Sequence, residues 1–316
     1  MSRPVFRKAL LAPQYWLTWL SFGIWWLLAQ LPYHFQLWLG RRLGHVMARF
    51  AKRRVAIARR NLELCFPELD DAAQQQLLRE HLESVGIGFF EIGIAWFWSR
   101  KRLQKLVTYQ GLEHLQAAEN AGEGVLLMAM HFTHVDCGGI FAALEHSIDC
   151  SYRKHANPVY DLIQRSCRER FNDGNLAIER SDVRTMIRQL KKGRAIWYAP
   201  DQDYGAKHSI FVPFFGVEAA TITATSQIAR LGRAKVIPFT CLRKAGGGYE
   251  YRAYPALEGF PSGDEFIDTK QINQFVEMAV RQAPEQYLWV HRRFKTRPSG
   301  EEDVYAQVGI SRGKRQ

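Results

Sequence analysis

The sequence predicts an α/β fold in which a mixed, mainly parallel sheet is flanked by helices, with an N-terminal hydrophobic membrane-anchor helix. Short apolar runs of strand length at 124–130, 194–199 and 234–242 alternate with stretches of helical periodicity. Three glycines at 246–248 join the third run to another at 249–256, which predicts a hairpin and therefore one antiparallel pair. Residues 15–31 form an uncharged, tryptophan-rich segment, which predicts the anchor.

The net charge of +12 is concentrated at the N-terminus. Residues 1–60 contain eleven of the 43 Lys and Arg residues, five of the nine tryptophans and none of the 31 acidic residues. Residues 61–316 are nearly balanced, so no basic surface of the kind that binds nucleic acid is expected. Arginine and tryptophan beside an apolar segment are typical of contact with anionic lipid. We therefore expect residues 1–60 to form a membrane anchor with interfacial helices.

The segment 15–31 is at the short limit for spanning a hydrocarbon core about 30 Å thick. It either spans the bilayer or lies in its interface, and the flanking positive charge predicts a cytoplasmic location for the rest of the chain. The alternative is a buried helix of a soluble protein. Residues 41–60 are expected to form one basic helix on the lipid surface.

Several helix boundaries carry recognisable signals. Asp70 or Asp71 is expected to cap a long helix that runs towards Trp98. Asn157 and a following proline begin a helix to about residue 171, and Asp182 caps another. Further helices are predicted at 221–231 and 268–282. The five cysteines are scattered without a CxxC pair, which favours a reducing compartment and argues against a zinc knuckle.

His131 and Asp136 form the first candidate site. His131 follows the apolar run at 124–130, and Asp136 lies at the start of a helix predicted from Val135 to Glu145. Open α/β sheets place their sites beyond the carboxyl ends of strands. A bend there would let Asp136 accept from one imidazole nitrogen and leave the other free to take a proton. The alternative is a structural histidine.

Other polar groups follow predicted strands and helices. Asp201 and Asp203 come after the run at 194–199, on the sheet edge expected for His131. Arg165, Arg168 and Arg170 lie on the helix after Asn157, and residues 291–297 form a further basic patch. His134 could join His131 and Asp136 in a metal site, but the spacing does not match binuclear zinc hydrolases. No metal and no cofactor are expected.

Taken together, these stretches resemble the late acyltransferases of lipid A biosynthesis, and most of all those that transfer a lauroyl group to Kdo2-lipid IVA. The matching stretches cover nearly the whole chain: 13–20, 60–68, 131–136, 152–158, 197–205, 211–214, 283–287 and 291–298. One position departs from the pattern, because the lauroyl members usually carry Glu where this chain has Asp136.

The resemblance implies a membrane-associated O-acyltransferase domain at 61–316. It implies transfer of a lauroyl or similar chain from acyl carrier protein to a hydroxyl of a Kdo2-lipid IVA-type precursor. His131 would be the general base with Asp136 as its partner, and Arg168 and Asp201 would bind substrate. The enzyme would lie in the bacterial inner membrane with its active site facing the cytoplasm, in contact with membrane lipid and not with nucleic acid.

Other functions stay open at this point. The same residues would serve an acyltransferase for glycerol phosphate or another glycolipid, or a non-catalytic protein that binds anionic lipid. The chain has no Gly-x-Ser-x-Gly nucleophile elbow, which is consistent with direct attack on a thioester. Arg184, Arg188 and Lys191 share one face of the helix after Asp182. They either contact the acidic carrier protein or form a solvated surface.

Overall fold

The computed structural model describes residues 5–172 and 174–308. Residues 1–4 of the predicted anchor segment 1–60 therefore lie outside the described residues, as do residues 173 and 309–316 of the predicted acyltransferase domain 61–316. A sheet of seven strands, in the order β1-β9-β8-β2-β5-β3-β4, forms the centre of the molecule. Its strands are β1 (Val107–Gln110), β2 (Gly124–Met128), β3 (Ile148–Tyr152), β4 (Ala177–Glu179), β5 (Ala195–Tyr198), β8 (Ala234–Arg243) and β9 (Tyr249–Ala253). A separate two-stranded sheet contains β6 (Ser209–Phe214) and β7 (Val217–Ile222).

The strand directions confirm the predicted mixed, mainly parallel sheet. Strand β2 pairs in parallel with β5 on one side and β8 on the other, whereas β8 and β9 form the predicted antiparallel hairpin. All five residues of β2 are buried, as expected for a central parallel strand that is covered on both faces.

Helices cover both faces of the sheet. In chain order they are α1 (Trp16–Ala29), α2 (Tyr33–Phe50), α3 (Lys52–Cys65), α4 (Asp71–Phe97), α5 (Arg100–Gln104), α6 (Leu112–Asn120), α7 (Val135–Glu145), α8 (Pro158–Arg168), α9 (Val183–Leu190), α10 (Ala224–Gly232) and α11 (Glu265–Gln282). The predicted caps are confirmed: Asp70 accepts from the backbone N–H of Ala73, Asn157 caps α8, and Asp182 accepts from Thr185.

The two faces of the sheet have separate cores. Leu126 and Met128 of β2 point to a core that includes α3, α9, α10 and α11. Val125 and Leu127, which alternate with them, point to a core built from the end of α4 together with α7. The carboxyl ends of the parallel strands therefore emerge between two packed helical layers.

The N-terminal segment differs from the prediction of one helix over 41–60. The chain leaves helical geometry at Ala51, which separates α2 from α3. Helix α3 then continues through residues 60 and 61, where the boundary between anchor and catalytic segment is predicted. Helix α2 packs closely on α4, because glycines 40, 44 and 86 let the two backbones meet where a Cβ atom would collide.

Helix α1 covers most of the predicted anchor segment 15–31. None of the helices in the described part of the chain combines the length and the apolarity that crossing a membrane requires. The anchor role of residues 15–31 therefore stays a prediction.

Candidate active site

His131 and Asp201 meet at the carboxyl edge of the sheet. Met128 of β2 pairs with Tyr198 of β5. His131 follows Met128 by three positions, and Asp201 follows Tyr198 by three positions. The parallel strands therefore end level, and the two loops emerge side by side. Nδ1 of His131 lies 2.6 Å from Oδ1 of Asp201, and the backbone N–H of His131 donates to Oδ2 of the same carboxylate at 2.8 Å.

The charge state of Asp201 fixes the tautomer of His131. Burial alone would raise the pKa of Asp201, but the charge of His131 and its hydrogen bonds lower that pKa to about 2. An ionised carboxylate only accepts hydrogen bonds, so in the neutral form of the ring Nδ1 of His131 carries the proton and Nε2 has the free lone pair. Nε2 has no hydrogen-bond partner among the described residues, and the His131 side chain is 20% exposed.

The predicted pairing of His131 with Asp136 is wrong. Asp136 lies in the first turn of α7, where its Oδ1 accepts from Nε of Arg168 at 3.0 Å and from Nη2 at 2.8 Å. Trp96 Nε1 also donates to it at 3.3 Å. Asp136 therefore belongs to an ion pair between α7 and α8, and Asp201 takes the place beside the imidazole that the sequence assigned to Asp136.

Arg168 remains a cation in this setting. Burial lowers the pKa of Arg168, but the negative charge of Asp136 and the hydrogen bonds to it outweigh that effect, and the pKa is raised. Nη1 of Arg168 has no hydrogen-bond partner among residues 5–172 and 174–308. Its side chain is 15% exposed, so one positively charged donor is available at the surface of the site.

The loop that carries Asp201 is held by the basic patch at 291–297. Asp203 accepts from the backbone N–H of Thr296 at 2.8 Å and from its hydroxyl at 3.0 Å. Lys295 Nζ donates to the carbonyl of Asp203 at 2.7 Å, and the backbone N–H of Asp203 donates to His291 Nε2 at 3.3 Å. The predicted patches 201–203 and 291–297 therefore form one structural unit, which holds the loop that carries Asp201.

A buried ion pair, which the sequence analysis did not identify, supports the loop between His131 and Asp136. Glu91 of α4 accepts from Arg243 Nε at 2.7 Å and from the hydroxyl of Tyr249 at 2.6 Å. The sequence did hold a signal, because Glu91 is the single charged residue between positions 85 and 98. The Arg243 guanidinium extends towards Thr133, with Nη2 3.5 Å from its hydroxyl.

His134 faces the interior of the molecule. Its Nε2 lies 2.7 Å from the carbonyl oxygen of Cys241, and the ring is 1% exposed. Burial lowers the pKa of His134. These contacts give His134 a structural place behind the loop, and within the described residues no group of three or more His, Cys, Asp or Glu is arranged to hold a metal ion.

His131 and Arg168 line a cavity of about 620 Å³ that crosses the carboxyl edge of the sheet. Its lining combines cationic, polar and apolar side chains with the His131 ring. The charged and polar ones are Ser151, Tyr152, Arg153, Gln164, Arg168, Arg180, Ser181, Gln202 and Tyr204, and the apolar ones are Val135, Val183, Trp197, Tyr198, Ala199, Ile222, Ala224 and Ile228. The cavity can therefore hold an amphipathic molecule beside the imidazole.

Comparison with known proteins identifies the family of the chain. The model of the family "Bacterial lipid A biosynthesis acyltransferase" matches residues 3–296. The chain is 43% identical over 299 residues to the lipid A biosynthesis lauroyltransferase of Escherichia coli (strain K12), covering 94% of this chain and 97% of that relative.

Two further relatives from the same organism are similar over comparable lengths. The lipid A biosynthesis palmitoleoyltransferase is 41% identical over 302 residues, which is 95% of this chain and 98% of the relative. The lipid A biosynthesis myristoyltransferase is 28% identical over 309 residues, which is 97% of this chain and 95% of the relative. The match to the family model and these identities confirm the predicted resemblance: the chain is an acyltransferase and belongs to the bacterial lipid A biosynthesis acyltransferase family.

Proposed function

We propose that this enzyme transfers a lauroyl or similar acyl chain from acyl carrier protein to a hydroxyl of a Kdo2-lipid IVA-type lipid A precursor. The observation that carries the proposal is the His131–Asp201 pair beside an amphipathic cavity. The apolar lining residues suit the acyl chain, and the cationic ones suit a phosphorylated acceptor. The names of the relatives support the lipid A precursor as the acceptor class.

His131 acts as the general base. An aliphatic hydroxyl is too weakly acidic to attack a thioester unaided, so Nε2 removes its proton as the new carbon–oxygen bond forms. The tetrahedral intermediate then expels the carrier protein's thiolate, which receives that proton from the imidazolium. Asp201 holds the tautomer and stabilises the charged ring, and a base in this position supplies about 10²–10⁴-fold in rate.

Arg168 stabilises the oxyanion that develops on the thioester carbonyl. The backbone N–H groups of Phe132 and Thr133 already donate to carbonyl oxygens of Met130 and Gln286, so they are engaged elsewhere. Nη1 of Arg168 has no partner among the described residues and carries positive charge, which suits a developing oxyanion in a partly buried site. Asp136 acts by holding that guanidinium between α7 and α8.

Arg153 and Arg180 bind the phosphate groups of the acceptor. Both line the cavity and are exposed. A guanidinium group forms paired hydrogen bonds with phosphate oxygens, which gives orientation as well as attraction. These two cations therefore position the acceptor hydroxyl towards His131.

Residues 1–60 attach the enzyme to the inner membrane, with the catalytic residues 61–316 on its cytoplasmic side. Helices α1 and α2 expose large apolar side chains to the surroundings: Trp16, Leu17, Leu20, Ile24, Trp26, Leu27, Phe35 and Trp38. The guanidinium of Arg42 lies over the Trp38 ring, and further cations follow on α2 and α3. This combination favours an anionic lipid surface.

The acceptor is tested by direct competition. We expect the purified enzyme, given lauroyl carrier protein with equal amounts of Kdo2-lipid IVA and glycerol 3-phosphate, to add one acyl chain to the lipid A precursor. Mass spectrometry of the products measures both outcomes at once. Acylated glycerol phosphate with an unmodified lipid A precursor would replace this proposal by the second candidate. A lipid A mass spectrum from a strain lacking the gene, before and after complementation, gives the missing chain in the cell.

A further inference from the structure

Helices α9 and α10 present a cationic face next to the cavity. We define the α9–α10 cationic face by its exposed residues, which are Arg184, Arg188, Lys191, Lys192 and Arg233. None of the five forms a salt bridge among the described residues. Asp182 is the N-cap of α9, and its pKa is lowered by hydrogen bonds from Thr185 and, to a smaller extent, by the charges of Arg188 and Arg184. With five cations and one neighbouring carboxylate, the face carries net positive charge.

The position of this face relative to the cavity is defined by the two helix N-termini. Val183 at the start of α9 and Ala224 at the start of α10 both line the cavity. The helices pack on each other and run away from it in the same direction, since Leu190 near the end of α9 meets Gly232 at the end of α10. Helix α9 is about 12 Å long, so its cations lie within one short helix of the cavity opening.

The α8 side of the cavity adjoins α1, the helix proposed above to contact lipid. Gln164 and Arg168 of α8 line the cavity, and α1 packs on α8 through a hydrogen bond from Asn157 to Thr18. The Phe22 and Tyr160 rings also meet there, with their centroids 5.4 Å apart. A lipid acceptor held at the membrane therefore reaches the site from the α1–α8 side, and the α9–α10 side is left for the second substrate.

We propose that the α9–α10 cationic face is the docking surface for the acidic carrier protein that delivers the acyl thioester. This inference rests on the proposed function, because it requires a carrier-protein donor. The docked partner inserts its thioester arm past Val183, and the acyl chain lies against the apolar lining residues Ile222, Ala224 and Ile228. Opposite charges on the two partners raise the rate of encounter and fix the orientation of docking.

Charge reversal on α9 tests the proposal. We expect the triple variant Arg184→Glu, Arg188→Glu, Lys191→Glu to raise KM for lauroyl carrier protein about tenfold or more, with kcat little changed. The same variant should use lauroyl-pantetheine, a thioester without the protein, as well as the wild-type enzyme does. Raising the ionic strength should raise the wild-type KM and have little effect on that of the variant.

The matched control reverses three exposed cations on other surfaces, Arg79, Lys105 and Lys270, and should leave both KM values unchanged. An unchanged KM for the carrier protein in the α9 variant would show a merely solvated face and overturn the inference. Equal losses with both thioesters would also overturn it, because they indicate damage to the site itself. A wild-type enzyme that uses no carrier-protein donor would contradict the proposed function and the docking surface together.

Discussion

Oδ1 of Asp201 lies 2.6 Å from Nδ1 of His131, although the two residues are 70 positions apart in the chain. The level ends of β2 and β5 create this contact, and the lowered pKa of Asp201 keeps the carboxylate ionised. The pair therefore leaves a lone pair on Nε2, the nitrogen that can accept a proton. The predictions below follow from this geometry and from the groups that support it.

Asp201→Asn should lower kcat by about 10²–10⁴-fold with a much smaller change in KM. The amide has the size of the carboxylate, but it neither fixes the same tautomer nor stabilises the imidazolium. Steady-state transfer from lauroyl carrier protein measures both parameters. The thermal melting curve of the variant serves as the folding control, and a kcat within threefold of the wild type in a folded variant would remove Asp201 from the mechanism.

Asp136 and Arg168 should behave as one unit. We expect Asp136→Asn and Arg168→Gln each to reduce kcat, and the double variant to lose no more than the worse single variant, because either change breaks the same ion pair. Asp136→Glu should retain activity, since a carboxylate still reaches Arg168. Losses that multiply in the double variant would indicate that the two residues act independently.

The buried pair of Glu91 and Arg243 should contribute strongly to stability. Removing one partner leaves the other charge buried without compensation, which costs about 3–5 kcal/mol. Glu91→Gln should therefore lower Tm by several degrees, and the double variant Glu91→Gln, Arg243→Gln should recover part of the loss. Differential scanning fluorimetry in detergent measures the effect. A wild-type Tm in Glu91→Gln would contradict the importance of this pair.

Stability should fall as the pH drops below about 6.5. Burial lowers the pKa of His81 to about 4, so the folded protein keeps this ring neutral at a pH where the unfolded chain already binds a proton. The unfolded state then binds more protons, and the free energy of unfolding decreases by up to about 1.4 kcal/mol per pH unit for this residue. The loss develops between pH about 6.5 and about 4.

His81→Gln isolates that contribution, because glutamine does not titrate. We expect the variant to show a shallower decrease of Tm between pH 7 and pH 5 than the wild-type protein shows. His81 lies outside the cavity lining, so its replacement should leave the pH dependence of kcat unchanged. Parallel Tm curves for the two proteins would show that His81 does not contribute to the acid sensitivity.

The alternation of apolar runs and helical signals predicted the sheet class, the hairpin and the caps of α4, α8 and α9. It did not predict the partner of His131. The short spacing in the sequence suggested Asp136 as the partner. The contact between His131 and Asp201 depends on β2 and β5 being neighbours in the sheet, and hydrophobic periodicity does not indicate strand order. The break at Ala51 was missed because no glycine or proline marks it in the sequence.

Single-turnover acyl transfer by His131→Ala is the most direct test of the general-base mechanism. The reaction uses enzyme in excess over lauroyl carrier protein, saturating Kdo2-lipid IVA and quenched samples analysed by mass spectrometry. We predict a first-order rate of ester formation at least about 10²-fold below the wild type, with unchanged Tm and vesicle binding. A folded His131→Ala enzyme that forms the ester at a rate close to that of the wild type would contradict the mechanism.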